Sequence, residues 1–152
     1  MTYASIDYPG ASETVAHGIN SAGVVVGYYN NLGLHGFVSS NIFTSIDYPG
    51  STATLLFGVN DAMQMVGVYQ LGIVFHGFEY DAGVFTSFDF PAQPTRANAI
   101  NDGGTVVGTA LCRVGSGAGV PNAPEFAARR CLKHPLLAGA HARVFMQRAA
   151  SC

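Results

Sequence analysis

Tryptophan is absent from this sequence, and lysine occurs once, at Lys133. Charged residues make up 11% of the 152 residues, against 49% hydrophobic ones. Surface helices usually carry many Lys and Glu side chains, so charge this sparse speaks for strands and tight turns. The 19 glycines agree with that reading. A formal net charge of −2 offers no basic surface for nucleic acid or an anionic membrane. No apolar run approaches the roughly 18 residues that a membrane-spanning helix needs. Neither a GxxxxGK phosphate loop nor a Gly-x-Ser-x-Gly elbow occurs. The first residues lack the basic n-region and apolar h-region of an export signal, which on its own predicts a cytoplasmic chain.

What charge there is divides unevenly. Through Leu111 there is one basic residue, Arg96, against eight acidic ones; from Cys112 onward there are six basic residues against one acidic, Glu125. Cys112, Cys131 and Cys152 all lie in the second part. Two regions are therefore expected: 1–111, and a basic tail over 112–152.

The first region repeats itself. "HGINSAGVVVGYY" (17–29) returns as "FGVNDAMQMVGVY" (57–69), offset by forty, and as "NAINDGGTVVGTA" (98–110), offset by a further forty-one. "HGF" occurs at 35–37 and 76–78, and "SIDYPG" at 5–10 and 45–50, with "SFDFPA" at 87–92. A period of this length is one supersecondary unit of a repeat architecture.

The second copy parses into four strands. "TLLFGVN" (54–60) is apolar and branched, "NDAM" turns the chain, and "QMVGVY" (64–69) returns. "IVFHGFEYD" (73–81) is a third strand, "AG" a two-residue turn, and "VFTSFDF" (84–90) an alternating, half-buried fourth. Residues 3–8 then read as the fourth strand of a preceding unit. Four antiparallel strands in about forty residues match one propeller blade. Gly27, Gly67 and Gly108 recur inside the second strand, where glycine marks close backbone approach or a bulge. Pro49 and Gly50 in "DYPG" end the fourth strand: proline has no N–H for a ladder, and glycine takes conformations other residues avoid.

"GINSAGVVVGYY", "HGF" and "FTSIDYPGSTAT" together resemble the HAF-repeat proteins, a bacterial family of extracellular or surface repeat proteins. The resemblance covers roughly residues 2–110. It implies a propeller-like fold and an extracellular or cell-surface setting. It implies no catalytic residues. Family members usually carry more copies, and many carry an export signal.

The expected fold is thus all-β, built from antiparallel four-stranded units as a partial propeller; a β-trefoil is the alternative. After "TVVGTALCRVG" the pattern stops. The Ala-, Arg- and Cys-rich stretch that follows has the composition of a GC-rich gene read out of frame, or is an unrelated tail. It is expected to be poorly structured or partly helical, with "EFAARRCLKH" (125–134) ended by Pro135. Two full units and two partial ones leave open strand edges, which predicts a fragment of a larger propeller or a self-associating chain.

Every recurrent polar residue has a structural reading. His35 and His76 are expected to bond a neighbouring strand or turn. Asp47 and Asp89, with Asp7, are expected to accept main-chain N–H bonds at the "DYPG" turn; no D-x-D-x-D loop suggests calcium. Asn20, Asn60 and Asn101 read as turn residues, as do Asp61 and Asp102, and Gly18 recurs beside the first of them. Cys112, Cys131, His134 and His141 include zinc-ligand types but at no established spacing. A disulfide among three cysteines requires export and leaves one thiol over. No cofactor, metal or catalytic group is expected, and the reading is a non-enzymatic structural or binding module. A propeller-type glycan binder or enzyme is the alternative. It would use polar residues that break the repeat: His17 where Phe57 stands, Glu79 where Val38 stands, and Arg96 where Leu55 or Leu56 stands.

Overall fold

The computed structural model describes residues 3–89 and 94–110, with the backbone of 143–148. These residues are all-β, without a helix. The strands are β1 (Glu13–Ile19), β2 (Val25–Asn30), β3 (Leu34–Ser39), β4 (Phe43–Ile46), β5 (Ala53–Val59), β6 (Met65–Leu71), β7 (Val74–Asp81), β8 (Val84–Phe88), β9 (Thr95–Ile100), β10 (Thr105–Ala110) and β11 (Arg143–Arg148).

β1–β4 and β5–β8 are two antiparallel meanders of four strands each. A single parallel pairing, Leu34 with Ala53, joins them into one sheet. β9 and β10 begin the same pattern, and β11 pairs with β10 in parallel. The third strand of this last group therefore comes from the basic tail and runs opposite in sense to β3 and β7. Within the tail the structure thus shows a strand at 143–148; the expected helical turn at 125–134 lies outside the described residues, as does the third turn copy at 90–93.

Each unit opens with the same irregularity. Ala16 pairs with Gly27 and Gly18 with Val26, so His17 is an extra residue on β1. Phe57 on β5 and Asn98 on β9 are extra in the same way. The bulge pushes the first strand against the second. A Cβ on Gly27, Gly67 or Gly108 would stand 2.0 Å from the carbonyl oxygen of Val15, Leu55 or Arg96. No side chain fits there, which is why glycine recurs inside an otherwise β-branched strand.

Residues 3–8 are not a strand. β4 and β8 exist because β3 and β7 lie beside them, and nothing described offers 3–8 such an edge. The segment is held instead by Tyr8, whose ring stacks on Tyr29 with centroids 3.6 Å apart. Tyr48 stacks on Tyr69 at the same distance. The "DYPG" turns are thus pinned to the unit that follows them. Ser51 N–H closes each such turn onto Tyr48 O at 3.1 Å, as Ala11 does onto Tyr8 O. Gly50 holds φ 77°, as the position after Pro49 in this kind of turn demands.

The core lies between successive units. β5 rests on β1, β2 and β3, and β9 rests on β5, β6 and β7. Val26, Ile46, Leu56, Val59, Met65, Tyr69 and Phe78 form one cluster; Val66, Ala97 and Val106 form another between β6 and the β9–β10 hairpin. Each fully buried Val, Leu or Phe stabilises by about 1.5–3 kcal/mol. A unit therefore depends on its neighbours as well as on its own strands.

Candidate functional site: side-chain clasps in and between the units

The β1–β2, β5–β6 and β9–β10 turns carry Asn20, Asn60 and Asn101. Each side-chain oxygen accepts the main-chain N–H four residues on: Val24 at 2.9 Å, Gln64 at 2.9 Å and Thr105 at 2.8 Å. That is the turn role expected of asparagine. A second role was not legible in the sequence. Asn20 Nδ2 donates to Asn60 O at 3.1 Å, and Asn60 Nδ2 donates to Asn101 O at 3.1 Å. Beside this ladder, Ser21 N–H donates to Asp61 Oδ1 at 2.9 Å and Asp61 N–H to Asp102 Oδ1 at 3.0 Å. The Ser21 hydroxyl also donates to Asp61. The hydroxyl first, and the amide second, hold the Asp61 carboxyl below the usual carboxylate range.

A second constellation lies within each unit. His35 Nδ1 meets Asp47 Oδ1 at 3.0 Å, Ser45 Oγ donates to Asp47 Oδ2 at 2.7 Å, and Tyr29 OH donates to Ser45 Oγ at 3.1 Å. The imidazole lies against the Tyr29 ring, centroids 5.2 Å apart. The second unit has His76 Nδ1 to Asp89 Oδ2 at 2.8 Å, Tyr69 OH with Ser87 Oγ at 2.8 Å, and the His76 ring on Tyr69 at 5.1 Å. Asp47 and Asp89 are thus occupied by histidine, and Asp47 by serine too. The expected main-chain bonds at the turn are made by threonine instead: Thr14 Oγ1 accepts Tyr8 N–H and Thr54 Oγ1 accepts Tyr48 N–H, both at 2.9 Å. The threonine hydroxyl reaches the turn from the next strand, while the Asp47 carboxylate turns back to Ser45 and to His35 on β3.

Serine, histidine and aspartate stand together here, but not as a nucleophilic triad. That chemistry needs histidine between the other two, to take the serine proton. In the first unit aspartate is in the middle and serine donates to it, so the imidazole is not placed to take the serine proton. The arrangement fixes rings and turns. In the third unit Ala110 stands where Tyr29 and Tyr69 stand, so this clasp has no tyrosine there.

The three residues that break the repeat each meet different neighbours. His17 is a bulge residue in edge contact with Phe57, ring centroids 4.9 Å apart, and near Tyr28 at 5.5 Å. Arg96 corresponds to Leu55 by register and lies over the Phe75 ring at 5.2 Å. Glu79 is half-buried on β7, where burial first and Asp81 second raise its pKa. No group of three or more His, Cys, Asp or Glu among the described residues is placed to hold a metal ion. The candidate zinc and disulfide residues, Cys112, Cys131, His134, His141 and Cys152, lie outside those residues. No described helix is long and apolar enough to cross a membrane. Sequence reasoning missed Thr14, Thr54, Ser45, Ser87 and the tyrosine pairs, although each recurs at the period of forty to forty-two.

No family model, no curated protein and no solved structure matches this chain.

Proposed function

We propose that this chain is a non-enzymatic β-repeat module, part of a secreted or cell-surface propeller with a structural or binding role. The HAF-repeat resemblance supports the setting. The supporting geometry is the way β5 and β9 each rest on the first three strands of the unit before. That serial stacking suits consecutive propeller blades better than the three hairpins of a trefoil. The observation that carries the non-enzymatic reading is the fate of the recurrent polar side chains. Asn20, Asn60, His35, Asp47, His76 and Asp89 all spend hydrogen bonds on neighbouring turns, strands or units.

A double-mutant cycle on His76→Ala and Asp89→Ala, read by urea unfolding, tests this. A structural pair loses stability with either change and shows coupling between the two. Unchanged stability, together with a turnover activity abolished by either variant, removes the reading.

One observation favours a glycan-binding alternative. The bulge position presents three chemically different residues in succession, His17, Phe57 and Asn98, and bulges are common beside binding sites. A glycan array with the parent chain and His17→Ala decides it: binding lost in the variant supports this reading, and no binding by the parent removes it.

A further inference from the structure

Stacking gives each unit a front, which meets the unit before it, and a back, which meets the unit after it. Burial identifies both. On the back, Val26 and Val66 are 0% exposed beneath β5 and β9, while the equivalent Val107 of the third unit is 44% exposed. On the front, Leu56 and Ala97 are buried against the preceding unit, while the equivalent Ala16 of the first unit is exposed. Val59 is 6% exposed and its counterpart Ile19 is 68% exposed. Among the described residues, one front and one back of the same kind that is joined twice internally are therefore left exposed.

The asparagine ladder is directional in the same sense. Donors run from each unit to acceptors on the next. At the third unit, Asn101 Nδ2 and Asp102 N–H have no acceptor among the described residues. At the first, Asn20 O accepts only Gly23 N–H among those residues, whereas Asn60 O accepts both Met63 N–H and the Asn20 amide.

We propose that the back of the third unit binds the front of the first unit of a second copy of this chain. Val107 is then covered by the second copy's Ala16 and Ile19, and Asn101 donates to its Asn20 carbonyl. The contact is heterologous, so it propagates as a ring or a filament rather than stopping at a symmetric dimer. One residue loosens it. A Cβ on Gly18 would meet Phe57 O at 2.9 Å, and one on Gly58 would meet Ala99 Cα at 3.0 Å. Ala99 holds this position in the third unit, and its methyl group keeps the second copy a few tenths of an ångström further away.

The partner named here rests on the structural-module reading, and the test separates the two. Sedimentation velocity on the full 152-residue chain in reducing buffer, over a concentration series, reads the assembly. The parent chain is expected to form a concentration-dependent series of oligomers. Val107→Glu blocks the back and Ala16→Glu the front; both sites are exposed, so both variants fold, which circular dichroism checks. Each alone is expected to be monomeric. Their equimolar mixture is expected to give a one-to-one dimer and nothing larger, since one intact back and one intact front remain. Ala99→Gly is expected to shift assembly to lower concentration. A parent chain that stays monomeric, a single variant that still associates, or a mixture without dimer each overturns the proposal. A monomeric parent leaves the structural-module reading standing, because that reading is tested separately by the His76 and Asp89 variants.

Discussion

Asn20 donates its side-chain amide to the main-chain oxygen of Asn60 across a gap of forty residues, at 3.1 Å. The same side chain closes its own turn by accepting Val24 N–H at 2.9 Å. One residue thus shapes a hairpin and ties that hairpin to the next unit. Asn60 does both as well and is only 2% exposed, so its bonds form away from competing water.

Gly67→Ala is expected to destabilise the protein by about 3 kcal/mol or more, because the new methyl would lie 2.0 Å from Leu55 O, a backbone atom that cannot swing away. Gly103→Ala is the control. Its Cβ would meet nothing closer than Asn101 Oδ1 at 3.4 Å, and Ala22 and Ala62 already occupy the equivalent positions. Thermal unfolding of the two variants should separate them clearly.

Met63 holds φ 65° at the turn position where Gly23 and Gly104 stand in the other units. A side chain in the left-handed region costs about 1–2 kcal/mol. Met63→Gly is expected to raise stability by about 1 kcal/mol in urea unfolding, since the only bond lost is the 3.9 Å contact of Asn20 Nδ2 with the Met63 sulfur.

How much of this was legible in the sequence follows from the range of each interaction. The strand limits of the second unit, the bulge behind Gly67 and the "DYPG" turns rest on neighbours in sequence or across one hairpin. Their residue types showed them. The ladder joins Asn20 to Asn60 and leaves no local pattern, only a period. The strand expected at 3–8 failed for the opposite reason: its pattern was right, but a strand also needs an edge to pair with, and Tyr8 holds the segment by stacking instead. Asp47 looked like a turn acceptor because it sits beside the turn; the turn's actual acceptor, Thr54, lies on the next strand.

Two carboxylates should give stability opposite dependences on pH. Asp61 has a lowered pKa in the fold, so its contribution is present above the unfolded value and is lost as pH falls through the folded one. Glu79 has a raised pKa, so its carboxylate opposes folding once pH climbs past the unfolded value. Glu79→Gln should therefore raise the unfolding midpoint at neutral pH and flatten the curve in the weakly acidic range. Asp61→Asn should flatten the more acidic limb. Urea midpoints measured across that range for the parent and both variants check the signs.

The recurrent asparagines Asn20 and Asn60 join units as well as shape turns. Urea unfolding of Asn60→Ala beside Asn101→Ala, at concentrations where the chain is monomeric, tests it most directly. Both changes remove a turn acceptor, but among the described residues only Asn60 of the two also donates, to Asn101 O of the following unit and to Gln64 Oε1 of its own turn. The account predicts a loss of about 2–3 kcal/mol for Asn60→Ala and distinctly less for Asn101→Ala. Equal losses, or an Asn60→Ala variant as stable as the parent, would contradict it.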